Sequence, residues 1–286
     1  MNIQDFKTTD TRQIFYLEDE SRIGGVLLLK FPLLDKTGIV EHGFTTRMGG
    51  VSRGIFSTLN VSYTRGDDVS AVDENYRRIA RSLHAEVSDF VLSDQTHTTN
   101  IRKVTRKDCG KGILRDRDYH DIDGLITDEP GIVLAAFFAD CVPLFFVDPV
   151  HHAAGISHSG WRGTIGRMGR ETVCAMQAAY GSRPEELVCA VGPSICQSCY
   201  EVSEDVAARF LEEFPGAGRE LCEPALPGKY QLNLWKANER VLLEAGIRPE
   251  HLAVTNICTC CNDKLLFSHR ASQGRRGNLG AFIKLV

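Results

Sequence analysis

Three short segments carry residues that can do chemistry, and each stands at the end of an apolar run. Ala139-Asp140-Cys141 interrupts the apolar stretch 132–147. A carboxylate is costly there unless a donor or a cation meets it. A second run delivers His158 into Ser157-His158-Ser159-Gly160-Trp161-Arg162-Gly163-Thr164, a glycine-flanked turn that opens a helix. Gln95-Thr96-His97 closes a third. His97, Cys141 and His158 stand 44 and 17 residues apart. Two imidazoles and a thiolate are a good three-donor set for zinc, with the fourth position left for water or substrate. Donors dispersed in this way suit a catalytic metal better than a structural one. The same residues suit a cysteine nucleophile with a histidine base, and spacing leaves both readings open.

Anion chemistry has two candidates. Arg162 lies at the start of the predicted helix, where free N–H groups and a planar guanidinium favour phosphate or carboxylate. Thr164 or Gly163 is its expected cap. Arg47 sits beside Gly49-Gly50, where backbone N–H groups can also turn toward an anion. A further group, Cys196-Gln197-Ser198-Cys199 and Cys258-Thr259-Cys260-Cys261, allows a four-cysteine zinc site or a redox pair. No βαβ context surrounds Cys196, and Cys258-x-Cys260 is tight for a zinc knuckle, so buried thiols are the expected state.

The elements that must position these residues follow from periodicity. Residues 14–17 and 25–29 read as a β-hairpin, and 90–92, 101–104, 131–138, 142–147 and 153–157 as strands. Residues 73–85 place Tyr76, Ile79, Ala80 and Leu83 at helical spacing. Helices are also predicted over 164–180, 201–214 and 232–245, and strands over 188–191, 252–257 and 265–267. The polar stretch 106–123 reads as a solvated surface loop joining two halves of one domain. Strands often follow one another without a helix between them. The class is therefore α/β of the α+β kind and not a doubly wound order.

The 286 residues are 43% hydrophobic and 24% charged, with mean hydropathy −0.16. This is ordinary globular composition and excludes disordered, collagen-like and coiled-coil chains. No linker, repeat or low-complexity tract appears, so one domain over residues 1–286 is expected. A net charge of −4 and a pI near 6.1 disfavour nucleic acid and anionic membranes as partners. No run of 18 apolar residues is present. Ten cysteines without a secretory leader predict a reduced, cytoplasmic protein. The glycine fingerprints of dinucleotide and P-loop sites, HExxH and GxSxG are all missing.

The segments HGFTTRMGGVS, LNVSYTRGDD, QTH, DIDGLIT, ADCVPLFFVDP, SHSGWRGT, VGPSICQSCYEV, CTCC and FSHR, in this order from His42 onward, resemble the laccase-domain family. That family is also called the multicopper polyphenol oxidase or purine nucleoside phosphorylase family. Ser159 stands where many members have Ala, Thr98 where many have Gly, and FSHR where F-S-Y-R-R is commoner. The resemblance implies a layered α-β-β-α sandwich with mixed, largely antiparallel sheets, related to some cysteine hydrolases. It places the metal ligands on His97, Cys141 and His158. It further implies zinc-dependent phosphorolysis of adenosine, inosine and methylthioadenosine, and deamination of adenosine. Zinc is expected before copper: nine histidines without His-x-His pairs do not supply a trinuclear copper cluster.

On that reading Arg47 and Arg162 hold phosphate, Gln95 and Asn60 bind substrate, and Asp140 orients a group, carries a proton or pairs with Arg162. For deamination, a water activated at the metal attacks the six-position carbon of the purine. The expected partners are purine nucleosides and phosphate, and the expected assembly is a monomer or a weak homodimer. Three alternatives stand beside it: a cysteine-nucleophile amidase acting on cell-wall precursor peptides, a copper polyphenol oxidase, and a nucleoside-binding protein without catalysis.

Overall fold

The apolar run 132–147 is long enough for two strands, and it breaks where Asp140 takes a left-handed conformation with φ 88°. Aspartate tolerates that region better than most residues. The computed structural model describes residues 2–286. Its strands are, in chain order, β1 Tyr16–Asp19, β2 Leu27–Lys30, β3 Val40–Thr45, β4 Phe90–Leu92 and β5 Ile101–Lys103. They continue as β6 Gly124–Thr127, β7 Val133–Phe138, β8 Val142–Asp148, β9 Ala153–Ser159 and β10 Val188–Val191. The last are β11 Glu201–Ser203, β12 Cys222–Pro224, β13 Lys229–Leu232, β14 Leu252–Val254 and β15 Leu279–Leu285.

Two six-stranded sheets result, in the orders β1-β2-β3-β15-β7-β4 and β14-β10-β8-β9-β6-β5, with β11-β13-β12 as a small third sheet. Most neighbours are antiparallel. The parallel pairs are β4 with β7, β10 with β14, and β5 with β6. Because β7 belongs to one large sheet and β8 to the other, Ala139-Asp140-Cys141 is where the chain crosses between them.

Alternation along the strands divides the apolar side chains into layers. Leu134, Ala136 and Phe138 of β7 join Phe145 and Val147 of β8 and Ile156 of β9 in one interior shared by the sheets. Val133 and Ala135 point the other way and pack with Val72, Tyr76 and Ile79 of the helix Val69–Ser82. On the second sheet, Val142, Leu144 and Phe146 lie under the helices Met168–Tyr180 and Leu234–Glu244. The layers are therefore helix, sheet, sheet, helix, as the resemblance implies. Each fully buried Leu or Phe is worth about 1.5–3 kcal/mol, against about 0–1 kcal/mol for an exposed ion pair, so the apolar layers hold the sheets together.

Several elements differ from the sequence reading. The helix expected over 164–180 is two helices, Trp161–Ile165 and Met168–Tyr180. Between them Arg167 is left-handed, φ 58°, and its guanidinium pairs with Glu213 and Glu244. The cap of the first helix is Gly160; Gly163 and Thr164 lie inside it, and the Thr164 hydroxyl donates to the Gly160 carbonyl. The helix expected from residue 201 starts at Glu204, because Glu201–Ser203 pairs with β13. Leu265-Leu266-Phe267 is a turn and not a strand: Leu265 and Leu266 both donate N–H to the Asn262 carbonyl, while Leu266 and Phe267 fill the shared core.

Strands β3, β6, β11, β12, β13 and β15 were not anticipated. The polar stretch 106–123 connects β5 to its parallel neighbour β6 and is not wholly solvated. Asp108 and Lys111 are buried within it, and Asp108 meets Arg102 at 2.8 Å and Lys111 at 2.7 Å. Among the described residues no helix is long and apolar enough to cross a membrane.

Candidate metal centre and its cavity

His97, Cys141 and His158 come together from three separate strand ends. His97 stands in the turn after β4, left-handed at φ 67°. Cys141 directly precedes β8, and His158 lies near the end of β9, where Pro143 is its antiparallel partner. Their donor atoms all lie within 4.8 Å of one another. Cys141 Sγ is 3.9 Å from His97 Nε2, and the two imidazoles meet edge to face with centroids 4.9 Å apart. Room for this meeting depends on Gly160. A Cβ there would lie 2.9 Å from His97 Cδ2 and 3.1 Å from Cys141 Sγ.

Asp123, unmarked in the sequence reading as a functional residue, ties the two histidines. Its Oδ1 lies 2.8 Å from His158 Nδ1 and accepts the His97 N–H at 3.1 Å. Its Oδ2 accepts the N–H groups of Thr96 and Thr98 and the Thr98 hydroxyl. A carboxylate on Nδ1 fixes the tautomer and leaves Nε2 of His158 free to act as a donor atom. Burial opposes the charge on Asp123, yet His158 and the backbone donors hold its carboxyl below the ordinary value. The signal was present in DIDGLIT, where an aspartate stands next to the glycine that opens a buried strand.

Charges within the group reinforce one another. Burial pushes the Cys141 thiol up, but His158 and then His97 outweigh it and bring it below its ordinary value. Burial likewise disfavours charge on His158, while Cys141 and Asp123 raise it. Each of the two groups thus favours the charged form of the other.

Two cavities open on the group. The larger, of about 280 Å³, is lined by Tyr63, Arg65, Gln95, Phe137 and Arg276 together with the three donors. It is at the small end of ligand sites. Arg65 makes no ion pair among the described residues. Arg276 Nε is buried without a partner among the described residues, while its Nη1 donates to the Gly277 carbonyl and to Asn278 Oδ1. Burial and then the charge of Arg65 bring that guanidinium down to about 10. Arg117 also lines the cavity but is paired with Asp94 at 3.0 Å. The smaller cavity, about 70 Å³, lies against His97 and Cys141 beside Asp140, Trp161, Arg162 and Tyr200.

The residues singled out beforehand are dispersed around this centre. Arg47 does not line the larger cavity; its guanidinium donates to the carbonyls of Ser57 and Asp263, both at 2.8 Å, and lies over the Phe267 ring. Asn60 is buried beneath the cavity loop, bonded to Ser62, Asp67 and Asn278. Gln95 faces the cavity while its amide bonds both the N–H and the carbonyl of Phe137. Asp140 does not pair with Arg162. It accepts the Thr259 hydroxyl at 2.7 Å and the Arg270 N–H at 2.7 Å. Arg162 is exposed, stacks on Trp161 at 4.3 Å and opens on the smaller cavity.

The donor set fits a metal. Imidazole and thiolate are the ligands borderline-soft zinc prefers, and three donors facing a cavity leave a coordination position open. The same geometry also aligns Cys141, His158 and Asp123 in the order nucleophile, base and orienting carboxylate.

Comparison with known proteins points to one family. Residues 41–286 match the family described as multi-copper polyphenol oxidoreductase laccase. The purine nucleoside phosphorylase YlmD of Bacillus subtilis is 38% identical over 250 residues, covering 85% of this chain and 88% of that one. A purine nucleoside phosphorylase of Deinococcus radiodurans is 38% identical over 261 residues, covering 91% and 94%. The crystal structure of YlmD from Geobacillus stearothermophilus superposes with a TM-score of 0.86 at 36% identity, covering 96% of this chain and 99% of that one.

Proposed function

Since the chain belongs to the multi-copper polyphenol oxidoreductase laccase family, we propose that it is a zinc-dependent purine nucleoside phosphorylase. Its substrates are adenosine, inosine and methylthioadenosine, and deamination of adenosine is its second reaction. The observation that carries this reading is the meeting of three groups on one cavity: the donors His97, Cys141 and His158, the guanidinia of Arg65 and Arg276, and the aromatic face of Phe137. The interior shared by the two sheets supports taking residues 1–286 as one catalytic domain.

In phosphorolysis the bond from the purine nitrogen to the anomeric carbon of ribose breaks. Its electrons leave with the base, which takes up a proton, and a phosphate oxygen bonds to the carbon. Arg65 and Arg276 hold the phosphate, because a dianion between them relieves the repulsion of two cations. Arg47 is engaged with carbonyls and Arg162 faces the other cavity, so the phosphate role passes from them to this pair. Phe137 supplies a flat apolar surface for the purine. Asp123 holds His158 in place and keeps its Nε2 available. Zinc bound by His97, Cys141 and His158 supplies Lewis acidity toward an oxygen or nitrogen of the substrate.

The test is chromatography of each nucleoside after incubation with metal-analysed protein, with and without phosphate, beside Cys141→Ala. Free base and ribose phosphate formed only with phosphate and only with Cys141 support phosphorolysis. Inosine formed from adenosine without phosphate supports deamination. Unchanged nucleosides with zinc bound would reject both. The alignment of Cys141, His158 and Asp123 favours a second reading, the cysteine amidase acting on cell-wall precursor peptides. Peptide cleavage that survives a strong chelator and is lost to thiol alkylation would select it.

A further inference from the structure

Away from the cavity the fold assembles a second sulfur cluster from two loops distant in sequence. One follows β10 and carries Cys196 and Cys199. The other follows β14 and carries Cys258 and Cys261. The parallel pairing of these strands extends past their ends as a bridge between Ser194 and Cys258. The Thr259 N–H also donates to the Ser194 carbonyl at 3.1 Å. The result is two Cys-x-x-Cys pairs laid side by side, with all four Sγ atoms within 4.8 Å of one another.

The distances decide what these sulfurs can be. Cys199 and Cys261 Sγ are 3.5 Å apart, beyond a disulfide bond of about 2.05 Å. A tetrahedral ion with four Zn–S bonds of about 2.3 Å separates its sulfurs by about 3.8 Å, which matches this cluster. Backbone N–H groups are aimed at one sulfur. Cys258 Sγ accepts from Cys196 N–H at 3.2 Å and from Cys261 N–H at 3.4 Å. Donors directed at sulfur stabilise a thiolate and fix the direction of its lone pairs, the support that ligating cysteines receive. Cys196 and Cys258 are buried and the other two half-buried. All four border the apolar layer of the second sheet, but packing alone does not require four sulfurs to point at one another. The expectation of buried thiols rested on Cys258-x-Cys260 as the pair; the cluster takes in Cys258 and Cys261 instead.

We propose that Cys196, Cys199, Cys258 and Cys261 form a second, structural zinc site that shares no ligand with the centre at His97, Cys141 and His158. With four protein ligands it leaves no position for substrate. Its effect reaches the first centre through Asp140. Ile195, next to Cys196, donates its N–H to the Asp140 carbonyl at 3.0 Å, and Thr259, next to Cys258, donates its hydroxyl to Asp140 Oδ1 at 2.7 Å. A metal that locks the two loops therefore locks the turn that presents Cys141.

The test counts metal, which makes it blind to nucleoside turnover. The full chain is prepared under reducing conditions with zinc, freed of excess ion by gel filtration, and analysed for zinc per chain. The double variant His97→Ala, Cys141→Ala removes the first set of donors and leaves the second intact. One zinc per chain is expected in it, and none after Cys199→Ser and Cys261→Ser are added. A double variant that folds and retains no zinc would overturn the site. So would an intact mass two hydrogens low, with the two loops joined by a disulfide. Alkylation mapping of the same double variant keeps the proposal open to refutation where the cysteine variants do not fold. Cys196, Cys199, Cys258 and Cys261 must be protected together and become reactive together on addition of a strong chelator. Reactivity unchanged by chelator rejects the proposal.

Discussion

The two sulfur-bearing groups of this protein are built differently. His97, Cys141 and His158 come from three strand ends, differ in type, are oriented by a buried carboxylate and open on a cavity. Cys196, Cys199, Cys258 and Cys261 come from two loops and are alike, and two backbone N–H groups are directed at one of them, Cys258. Three unlike donors leave an ion a free position and an adjustable charge. Four thiolates complete its shell. On the readings proposed above, one arrangement serves turnover and the other fastening, and Asp140 is the residue that touches both.

The comparison breaks most sharply at cysteines of opposite purpose. Cys141→Ala is expected to lower phosphorolysis by roughly 10³-fold or more while the thermal midpoint moves little. Cys199→Ser with Cys261→Ser is expected to lower the midpoint by roughly 10 °C, a loss of several kcal/mol in a chain of this size. Thermal melts and initial rates on both variants decide the matter; equal loss of stability in the two would erase the distinction. Next in size is the carboxylate. Asp123→Asn keeps the shape but weakens the hold on His158, and about a 10–100-fold loss of zinc affinity is expected at the first centre alone. Titration with a competing chelator measures it. Loss at the four-cysteine site instead would contradict the division.

The arginines sharpen the open side. Arg65→Gln or Arg276→Gln is expected to raise the KM for phosphate about 10-fold with a smaller change for nucleoside. Arg47→Gln leaves it near the parent value. Phosphate saturation curves separate the two outcomes.

The smallest effect lies in the shared core, remote from both groups, and gives a reference for ordinary stability. His42 is fully buried; its Nε2 accepts the Phe31 N–H at 2.8 Å, and burial and then Lys30 bring it down to about 3. The unfolded chain takes up a proton near pH 6.5 and the folded one does not. Stability is therefore full above that pH and falls below it, by up to about 1.4 kcal/mol per pH unit. Urea midpoints at pH 7, 6 and 5 should fall less steeply in His42→Gln. Parallel slopes would show that His42 titrates freely.

How much of this was legible in the sequence follows from how locally each feature is encoded. Cys141 and His158 were visible because polar residues inside or ending apolar runs are costly without a reason. The layer order was visible through the resemblance. Arg276 was invisible. It stands beyond the last motif and reaches the cavity only because Leu279–Leu285 inserts between β3 and β7. Asp123 was hidden at the end of a charged run in which Lys111 pairs with Asp108 and Asp118. Leu265-Leu266-Phe267 misled because a buried turn and a buried strand share the same three apolar letters. The convergence of the Cys196 and Cys258 loops rests on pairing of β10 with β14, strands some sixty residues apart, which no local spacing encodes.

The place of β15 also bears on how the protein is made. It follows every other strand in the chain, yet it sits inside the first sheet with β3 on one side and β7 on the other. While translation is under way, strands finished long before wait with open edges and uncovered apolar faces. The growing polypeptide is therefore most prone to stick to others in the interval before residues 279–285 leave the ribosome. A product cut short by those residues is expected to be an aggregating fragment and not a smaller enzyme.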